Sequence, residues 1–268
     1  MYYSQWGLAE TPFRAGTASQ AFFPSPTHEE ALARLQFLVD QHHRFGLLVG
    51  ERGTGKSLLL SVLADECRQA RVDVANLNLT AICPSEFPQL LAAQLTCVSL
   101  CSLNPQQAWQ ALSDRLAENH YEQRSTLVTL DDAHHADQAV LDQVLRLIHS
   151  DRSAGSQLTV VFAIDAGASE KIPADCHELA TLRIELQSWH IEDTTCFLAN
   201  RIDVAGGAKP LFDEQAIARI HDAAAGNPQR IVQLADLALL VGAGDGAANI
   251  DPDIVSKAAE ELSLAGRS

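Results

Sequence analysis

The residues with the clearest chemistry lie between positions 50 and 57, where the chain reads Gly-Glu-Arg-Gly-Thr-Gly-Lys-Ser. This spacing fits the phosphate-loop pattern G-x-x-x-x-G-K-[ST], whose glycines let backbone N–H groups curl around nucleotide phosphates. The pattern predicts that Lys56 reaches the β- and γ-phosphates and that the Ser57 hydroxyl ligates Mg²⁺. The following helix should point its positive end at the same phosphates. We therefore expect ATP or ADP, with Mg²⁺, to contact Gly50, Glu51, Arg52, Gly53, Thr54, Gly55, Lys56, Ser57 and Leu58.

A pair of acids follows the apolar run at residues 127–130, as a Walker B element requires. Asp131 is expected to hold Mg²⁺ through water, because this ion prefers oxygen ligands and keeps several waters. Asp132 is expected to polarise the attacking water. Glutamate, which is longer by one methylene, is more usual at this position, so the sequence leaves the hydrolysis rate open. The alternative interpretation is that both acids only cap the turn at residues 133–135.

Two arginines are candidates for contacts with the γ-phosphate. Arg230 follows Gly-Asn-Pro-Gln in the first turn of an expected helix. From there its guanidinium can report the nucleotide state through domain closure, as a sensor 2 arginine does. The alternative is a plain surface charge. Arg183 lies near the end of the expected sheet region, and it is predicted either as an arginine finger for a neighbouring subunit or as a structural salt bridge.

Three other polar residues are expected near strand ends. Asp165 ends the apolar run at residues 158–164, where a neutral side chain would suit a γ-phosphate contact of the sensor 1 type. An acid there repels the phosphate unless it is protonated or turned away. His134 and His135 follow the acidic pair without the surrounding acids of a metal or general-base site. We expect both histidines in a solvated or signalling loop.

Hydrophobic patterning predicts the elements that position these residues. Short apolar runs alternate with helical patterns, which predicts an α/β fold of the P-loop NTPase type with a parallel sheet between helices. The expected strands are 45–49, 72–77, 126–130, 158–164 and 182–186. The expected helices are 29–41, 56–70, 85–96, 105–120 and 139–149.

Only helical patterns follow residue 188. Helices are predicted at about 191–204, from Asp213 to 225, at 228–240 and at 252–264, with a flexible loop at 242–248. The expected domains are an N-terminal extension at 1–24, a phosphate-loop αβα domain at 25–187 and a small all-helical lid domain at 188–268. A sheet domain followed by a helical lid is the layout of an AAA+ ATPase.

Composition restricts the class of partner and the compartment. The chain carries 19 Lys and Arg against 34 Asp and Glu, a net charge of −15, which makes nucleic acid an unfavoured partner. Its six cysteines form no C-x-x-C pair and are expected to be reduced thiols. The sequence shows no signal peptide pattern and no apolar run long enough to span a bilayer. A cytoplasmic protein is therefore expected.

Four further segments carry a resemblance to a known family. They are W-G-L-A-E-T-P-F at 6–13, F-P-S-P-T-H-E-E-A-L at 23–32, N-R-I-D-V-A-G-G at 200–207 and G-N-P-Q-R-I at 226–231. In this order, and with the phosphate loop, they resemble the ExeA (GspA) type AAA+ ATPases of bacterial general secretion. The similarity covers nearly the whole chain, and the ordered flanking motifs are more specific than the phosphate loop alone.

The resemblance implies an ATP-hydrolysing homo-oligomer that drives assembly of a secretion or pilus-type complex with a membrane-bound partner. Such a protein would be peripheral at the inner membrane through that partner. Two alternatives stay open at this point. One is a nucleotide-dependent regulator of DNA transposition, and the other is a slow switch that binds ATP tightly and scarcely hydrolyses it, as Asp132 and Asp165 suggest.

Overall fold

The computed structural model describes residues 2–13, 21–96, 103–150 and 157–265. Cys97 and Cys101 lie outside the described residues. The chain divides into two compact units. The sheet unit comprises residues 28–52 and 56–186, and the helical unit comprises residues 1–27, 53–55 and 187–268. The domain boundaries expected from the sequence stay a prediction.

A five-stranded parallel sheet forms the centre of the sheet unit, in the order β2-β3-β4-β1-β5. This confirms the predicted α/β fold class. Every strand lies within one residue of its predicted position, because β1, β3 and β4 are largely apolar and β2 and β5 alternate polar with apolar residues. The strands are β1 (Phe45–Gly50), β2 (Asp73–Asn78), β3 (Thr126–Asp131), β4 (Leu158–Asp165) and β5 (Leu182–Leu186).

Among the described residues, helices connect the strands of the sheet unit and make up most of the helical unit. In the sheet unit they are α2 (Pro26–Asp40, which begins in the helical unit), α3 (Lys56–Gln69), α4 (Glu86–Thr96), α5 (Pro105–Tyr121), α6 (Gln138–Ser150) and the short α7 (Ala174–Leu179). In the helical unit they are α1 (Tyr2–Gln5), α8 (Ile191–Val204), α9 (Glu214–Ala224), α10 (Pro228–Asp245) and α11 (Pro252–Ala265). Two 3₁₀ helices, Ala133–His135 and Ala166–Lys171, follow β3 and β4. The sequence did not predict α1, α7 or the 3₁₀ helices.

Close packing of apolar side chains fixes the sheet that carries the candidate site. The rings of Phe45 in β1 and Phe162 in β4 meet edge to face with centroids 4.9 Å apart, and both are fully buried. At Gly46 the absence of a side chain admits Leu38 of α2. A Cβ atom at Gly46 would lie 2.3 Å from the Leu38 Cδ1. Strand β1 is therefore held firmly just before the phosphate loop begins.

The helical unit has its own core, to which the N-terminal residues contribute. Trp6 donates its indole N–H to the carbonyl of Leu239 at 3.0 Å, and Leu8 is buried. Phe13 packs against Phe197 with ring centroids 6.1 Å apart. The segment of residues 2–13 is therefore part of the packing of this unit. Among the described residues, no helix combines the length and the apolar character that crossing a membrane would require.

The predicted loop at 242–248 is wrong, because α10 continues to Asp245. A glycine-rich segment favours a flexible loop, but Gly242 is buried and serves close packing. A Cβ atom at Gly242 would lie 2.6 Å from Ile250 Cδ1 and 3.0 Å from the Trp6 ring. The helix ends one turn later at Gly246, whose φ of 67° is the left-handed conformation typical of a helix C-terminus.

Candidate functional site

The phosphate loop joins the end of β1 to the start of α3. Strand β1 ends at Gly50 and α3 begins at Lys56. Gly53 and Gly55 have φ angles of 86° and 99°, in the left-handed region that favours glycine. The backbone therefore curls between strand and helix as the sequence pattern predicts, and it can present N–H groups to an anion.

The ammonium group of Lys56 lies inside this loop. The residue is only 8% exposed, and its Nζ donates to the carbonyls of Gly50 at 2.7 Å and Glu51 at 2.8 Å. Burial lowers the pKa of Lys56, while nearby carboxylates act in the opposite direction. Those carboxylates belong to Asp165, Asp131, Asp132 and Glu51. The structure thus brings the predicted lysine and the predicted acids together at the carboxyl edge of the sheet.

Asp131 and Asp132 adopt distinct arrangements at the end of β3. The Asp131 Oδ1 accepts a hydrogen bond from the Asp132 N–H at 2.9 Å. Asp132 has φ 51° and ψ 37°, a left-handed conformation that is uncommon outside glycine but tolerated best by Asn and Asp. Its side chain makes no capping hydrogen bond to the 3₁₀ helix that follows. The capping interpretation therefore lacks the hydrogen bond that it requires at Asp132.

Asn78 is a site residue that sequence reasoning missed. Its Nδ2 donates to the Asp132 Oδ2 at 2.9 Å, and its Oδ1 accepts from the Thr80 N–H at 2.9 Å. Asn78 ends β2, and the parallel register places it beside Asp131. Because the carboxyl ends of parallel strands meet at one edge of a sheet, a polar residue ending the neighbouring strand was the available signal.

Asp165 and His134 are joined at the end of β4. The Asp165 Oδ1 accepts from the Gly167 N–H at 2.9 Å and so caps the 3₁₀ helix that follows it. The Asp165 N–H donates to the His134 Nδ1 at 3.3 Å. Burial, with a smaller contribution from His135, lowers the pKa of His134. The expectation of a solvated residue suits the exposed His135, but His134 is partly buried and hydrogen bonded.

The two arginine candidates lie on different units. Arg183 in β5 is exposed and forms an ion pair with Glu185, with Nε and Oε1 3.1 Å apart. The predicted salt-bridge alternative is thus formed, and the arginine-finger role stays a prediction. Arg230 is exposed in the first turn of α10, where its backbone N–H donates to the Asn227 side chain at 3.2 Å. Its helix position is as expected, and its sensor role also stays a prediction.

A separate cavity of ≈ 570 Å³ lies between α4, α5 and α6. The guanidinium of Arg146 lies 4.3 Å above the ring of Trp109 there, and the indole N–H of Trp109 donates to Gln143 at 3.1 Å. Its lining residues fall between 84 and 146 and include none of the phosphate loop. This cavity is therefore not the candidate nucleotide site.

The residues at the loop suit a nucleotide with Mg²⁺. The curled glycines, the start of a 14-residue helix and the buried ammonium all favour a polyphosphate. Ser57 is exposed and, with Asp131, offers oxygen ligands of the kind that Mg²⁺ prefers. Within the described residues no three His, Cys, Asp or Glu side chains are grouped to hold a metal. Ser57 and Asp131 would therefore hold the ion together with phosphate oxygens and water.

A curated relative matches nearly the whole chain. General secretion pathway protein A of Aeromonas hydrophila is 27% identical over 276 residues, which cover 98% of this chain and 49% of that protein. The chain thus spans about half the length of that relative. This similarity, together with the family match below, confirms the resemblance to the ExeA (GspA) type.

Solved structures share the fold. The ORC2 protein of Aeropyrum pernix, solved in ADPNP–ADP complexes, has a TM-score of 0.68 at 16% identity over 94% of this chain and 71% of its own. The RuvB Holliday junction branch migration motor of Thermotoga maritima has a TM-score of 0.58 at 14% identity over 94% of this chain and 73% of its own. At such identities the likeness shows the fold alone.

The family itself is shown by the sequence. The AAA domain family matches residues 39–172, half of the 268-residue chain. This region contains the phosphate loop, the acids that end β3, and the His134–Asp165 pair. With its curled glycine loop, buried lysine and five-stranded parallel sheet, the chain belongs to the AAA domain family of P-loop ATPases.

Proposed function

We propose that this protein binds ATP with Mg²⁺ at the phosphate loop, hydrolyses it and couples the cycle to assembly of a secretion or pilus-type complex. The observation that carries the proposal is the buried Lys56 ammonium, which lies on the carbonyls of Gly50 and Glu51 beside the acids of β3. A buried cation beside a curled loop is suited to the β- and γ-phosphates.

Ser57 and Asp131 are the proposed holders of the ion. Mg²⁺ bound there would neutralise charge that develops on the phosphates. Lys56 and the loop N–H groups would orient the polyphosphate, and the N-terminal end of α3 would add to the favourable field. The 8% exposure of Lys56 limits the water around its ammonium, which strengthens its attraction for a phosphate.

Asp132 is the proposed base for hydrolysis. Water attacks the γ-phosphorus, the bond to the bridging oxygen of ADP breaks, and the Asp132 carboxylate accepts a proton from the water. In the structure this carboxylate accepts the Asn78 amide at 2.9 Å. Because that hydrogen bond competes with one to water, we expect slow basal turnover.

The coupling to assembly is proposed from the similarity to general secretion pathway protein A. An oligomer would allow Arg183 to leave Glu185 and approach the nucleotide of a neighbouring copy, and Arg230 would report nucleotide state from α10. The partner would be a membrane-bound component of the complex, with this protein in the cytoplasm. A nucleic acid partner is disfavoured by the net charge of −15.

The test of the nucleotide site is ATP turnover and nucleotide binding in Lys56→Ala. We expect binding and turnover to be lost, because a buried cation that contacts phosphate is removed. Lys257→Ala is the matched control, since Lys257 is an exposed lysine paired with Asp245 at 2.7 Å. Equal turnover in the Lys56 variant and the unchanged protein would refute the site.

The coupling needs a separate experiment. The protein and membrane extracts are mixed with a non-hydrolysable ATP analogue or with ADP, and captured proteins are identified. Recovery of membrane-bound secretion or pilus components with the analogue and not with ADP supports the coupling. Equal recovery in both nucleotide states contradicts it.

A slow ATP-binding switch is a second candidate, favoured by the Asn78–Asp132 hydrogen bond. In that case a single turnover would take far longer than nucleotide binding, and the assembled state would persist until hydrolysis. Pre-steady-state measurement of phosphate release separates this switch from a continuously cycling motor.

A further inference from the structure

The end of β4 lies beside the start of the phosphate loop. The parallel register pairs Asp165 with Gly50, the first residue of the phosphate loop. An aspartate carboxylate accepts hydrogen bonds, and that of Asp165 accepts the Gly167 N–H at 2.9 Å. It therefore cannot donate a hydrogen bond to a phosphate oxygen. The position lacks the neutral donor that the phosphate would require.

His134 supplies a neutral donor at the same place. Its Nδ1 lies 3.3 Å from the backbone nitrogen of Asp165. A backbone N–H can only donate, so Nδ1 must be the acceptor and the imidazole proton lies on Nε2. The ring is thus neutral, with one N–H on the side away from the Asp165 amide.

The hydrogen bond of His134 brings its ring to the edge of the sheet where the phosphate loop begins. Its partner Asp165 is paired in the parallel register with Gly50, the first residue of that loop. The 3₁₀ helix that carries it is anchored by Ala133, which is fully buried. The ring of His135 is tilted by 42° from that of His134, with centroids 4.1 Å apart, and His135 is exposed. The ring of His134 is therefore held at the end of β4 by its hydrogen bond.

We propose that the Nε2–H of His134 donates a hydrogen bond to the γ-phosphate of bound ATP and so distinguishes ATP from ADP. The inference rests on the nucleotide site proposed above. His134, in the turn after β3, would make the contact that Asp165, at the end of β4, cannot make. ADP, which has no γ-phosphate, would not form this bond.

Two amide substitutions test the roles of the two ring nitrogens separately. The amide of His134→Asn stands near the place of Nδ1, so it can accept the Asp165 N–H but presents no donor at Nε2. The longer His134→Gln places an amide N–H near Nε2 and gives up the Nδ1 position. His135→Asn is the matched control, because it changes an exposed neighbour of the same type.

The measurement is the Kd of each variant for a Mg²⁺-bound non-hydrolysable ATP analogue and for ADP, by calorimetry. Loss of a hydrogen bond to a charged phosphate should raise the Kd of His134→Asn for the ATP analogue about tenfold or more. Its Kd for ADP should change little. His134→Gln should keep most of the preference for the ATP analogue. His135→Asn should bind both nucleotides as the unchanged protein does.

Other outcomes overturn the inference. If His134→Asn keeps the ATP preference while His134→Gln loses it, the residue only supports the end of β4. Equal weakening of both nucleotides in His134→Asn would likewise exclude a γ-phosphate contact. Lys56→Ala tests the proposed nucleotide site separately from His134. Unchanged nucleotide binding in Lys56→Ala would refute the site itself, whatever the His134 variants show.

Discussion

Replacing Asn78 by alanine should raise the rate of ATP hydrolysis. The Asn78 amide donates to the Asp132 Oδ2 at 2.9 Å and so occupies a carboxylate oxygen of the proposed base. A carboxylate that accepts an amide hydrogen bond is a weaker acceptor for the proton of the attacking water. Asn78→Ala removes this competitor and leaves Asp132 in place.

The size of the effect follows from the hydrogen bond and its exposure. A hydrogen bond to a charged acceptor contributes about 1.5–3 kcal/mol. Asn78 is exposed and Asp132 is partly exposed, so solvent should reduce this to about 1 kcal/mol. Because about 1.4 kcal/mol corresponds to a tenfold change in rate, the expected increase is about fivefold. It should appear in kcat, since Asn78 is not among the residues expected to contact the nucleotide.

The assay is steady-state phosphate release over a range of Mg²⁺–ATP concentrations. Asn76→Ala is the matched control, because Asn76 lies two residues earlier in β2 and its amide is hydrogen bonded to the Thr129 hydroxyl at 2.7 Å. The control should keep the original kcat even if it is less stable. A folded Asn78→Ala protein with unchanged or lower kcat would refute the reasoning, since Asn78 would then support Asp132 and not restrain it.

Other substitutions and labelling test the site and the packing around it. Asp132→Glu should raise turnover, because the longer side chain brings the carboxylate closer to the attacking water; an unchanged rate would show that side-chain length is not limiting. Gly46→Ala should lower the free energy of unfolding by about 1–3 kcal/mol in urea titrations, since its Cβ would overlap a buried leucine, whereas Gly244→Ala, with open space around it, should not. Burial raises the pKa of the Cys67 and Cys176 thiols to about 11, so at pH 8 only about 0.1% of each is ionised. Peptide mapping after alkylation should find both unmodified until the protein is unfolded, and rapid labelling of the native protein would contradict their burial.

The strands and the phosphate loop could be predicted from the sequence because their signals are local. Residues 126–130 form an apolar run that ends in two acids, and the structure extends this strand only to Asp131. The G-x-x-x-x-G-K-S spacing likewise needs no knowledge of distant residues. Both features depend on a few neighbouring side chains, so composition and spacing suffice.

The partners of the acids could not be predicted, because they depend on the register between strands. Asn78 is 54 residues from Asp132 in sequence, and His134 is 31 residues from Asp165. Gly242 was misinterpreted for the same reason, since only the packing of Ile250 and Trp6 shows why a helix there carries glycine. In a sequence, a single glycine is equally consistent with a flexible loop and with close packing. Only its neighbours in the folded protein distinguish the two.

The turn after β3 is hydrogen bonded to the ends of the two strands that flank β3. These two bonds bear on the choice between a motor and a switch. Strand β3 lies between β2 and β4. Asp132 is bonded to the end of β2 through Asn78, and His134 is bonded to the end of β4 through the Asp165 amide. On the proposed roles of Asp132 and His134, an event that activates hydrolysis would release the Asn78 bond. It would keep the Asp165 bond, which orients the proposed donor to the γ-phosphate. A switch would leave the Asn78 bond intact with ATP bound, whereas a motor would need the nucleotide, a neighbouring copy or the partner to break it in every cycle.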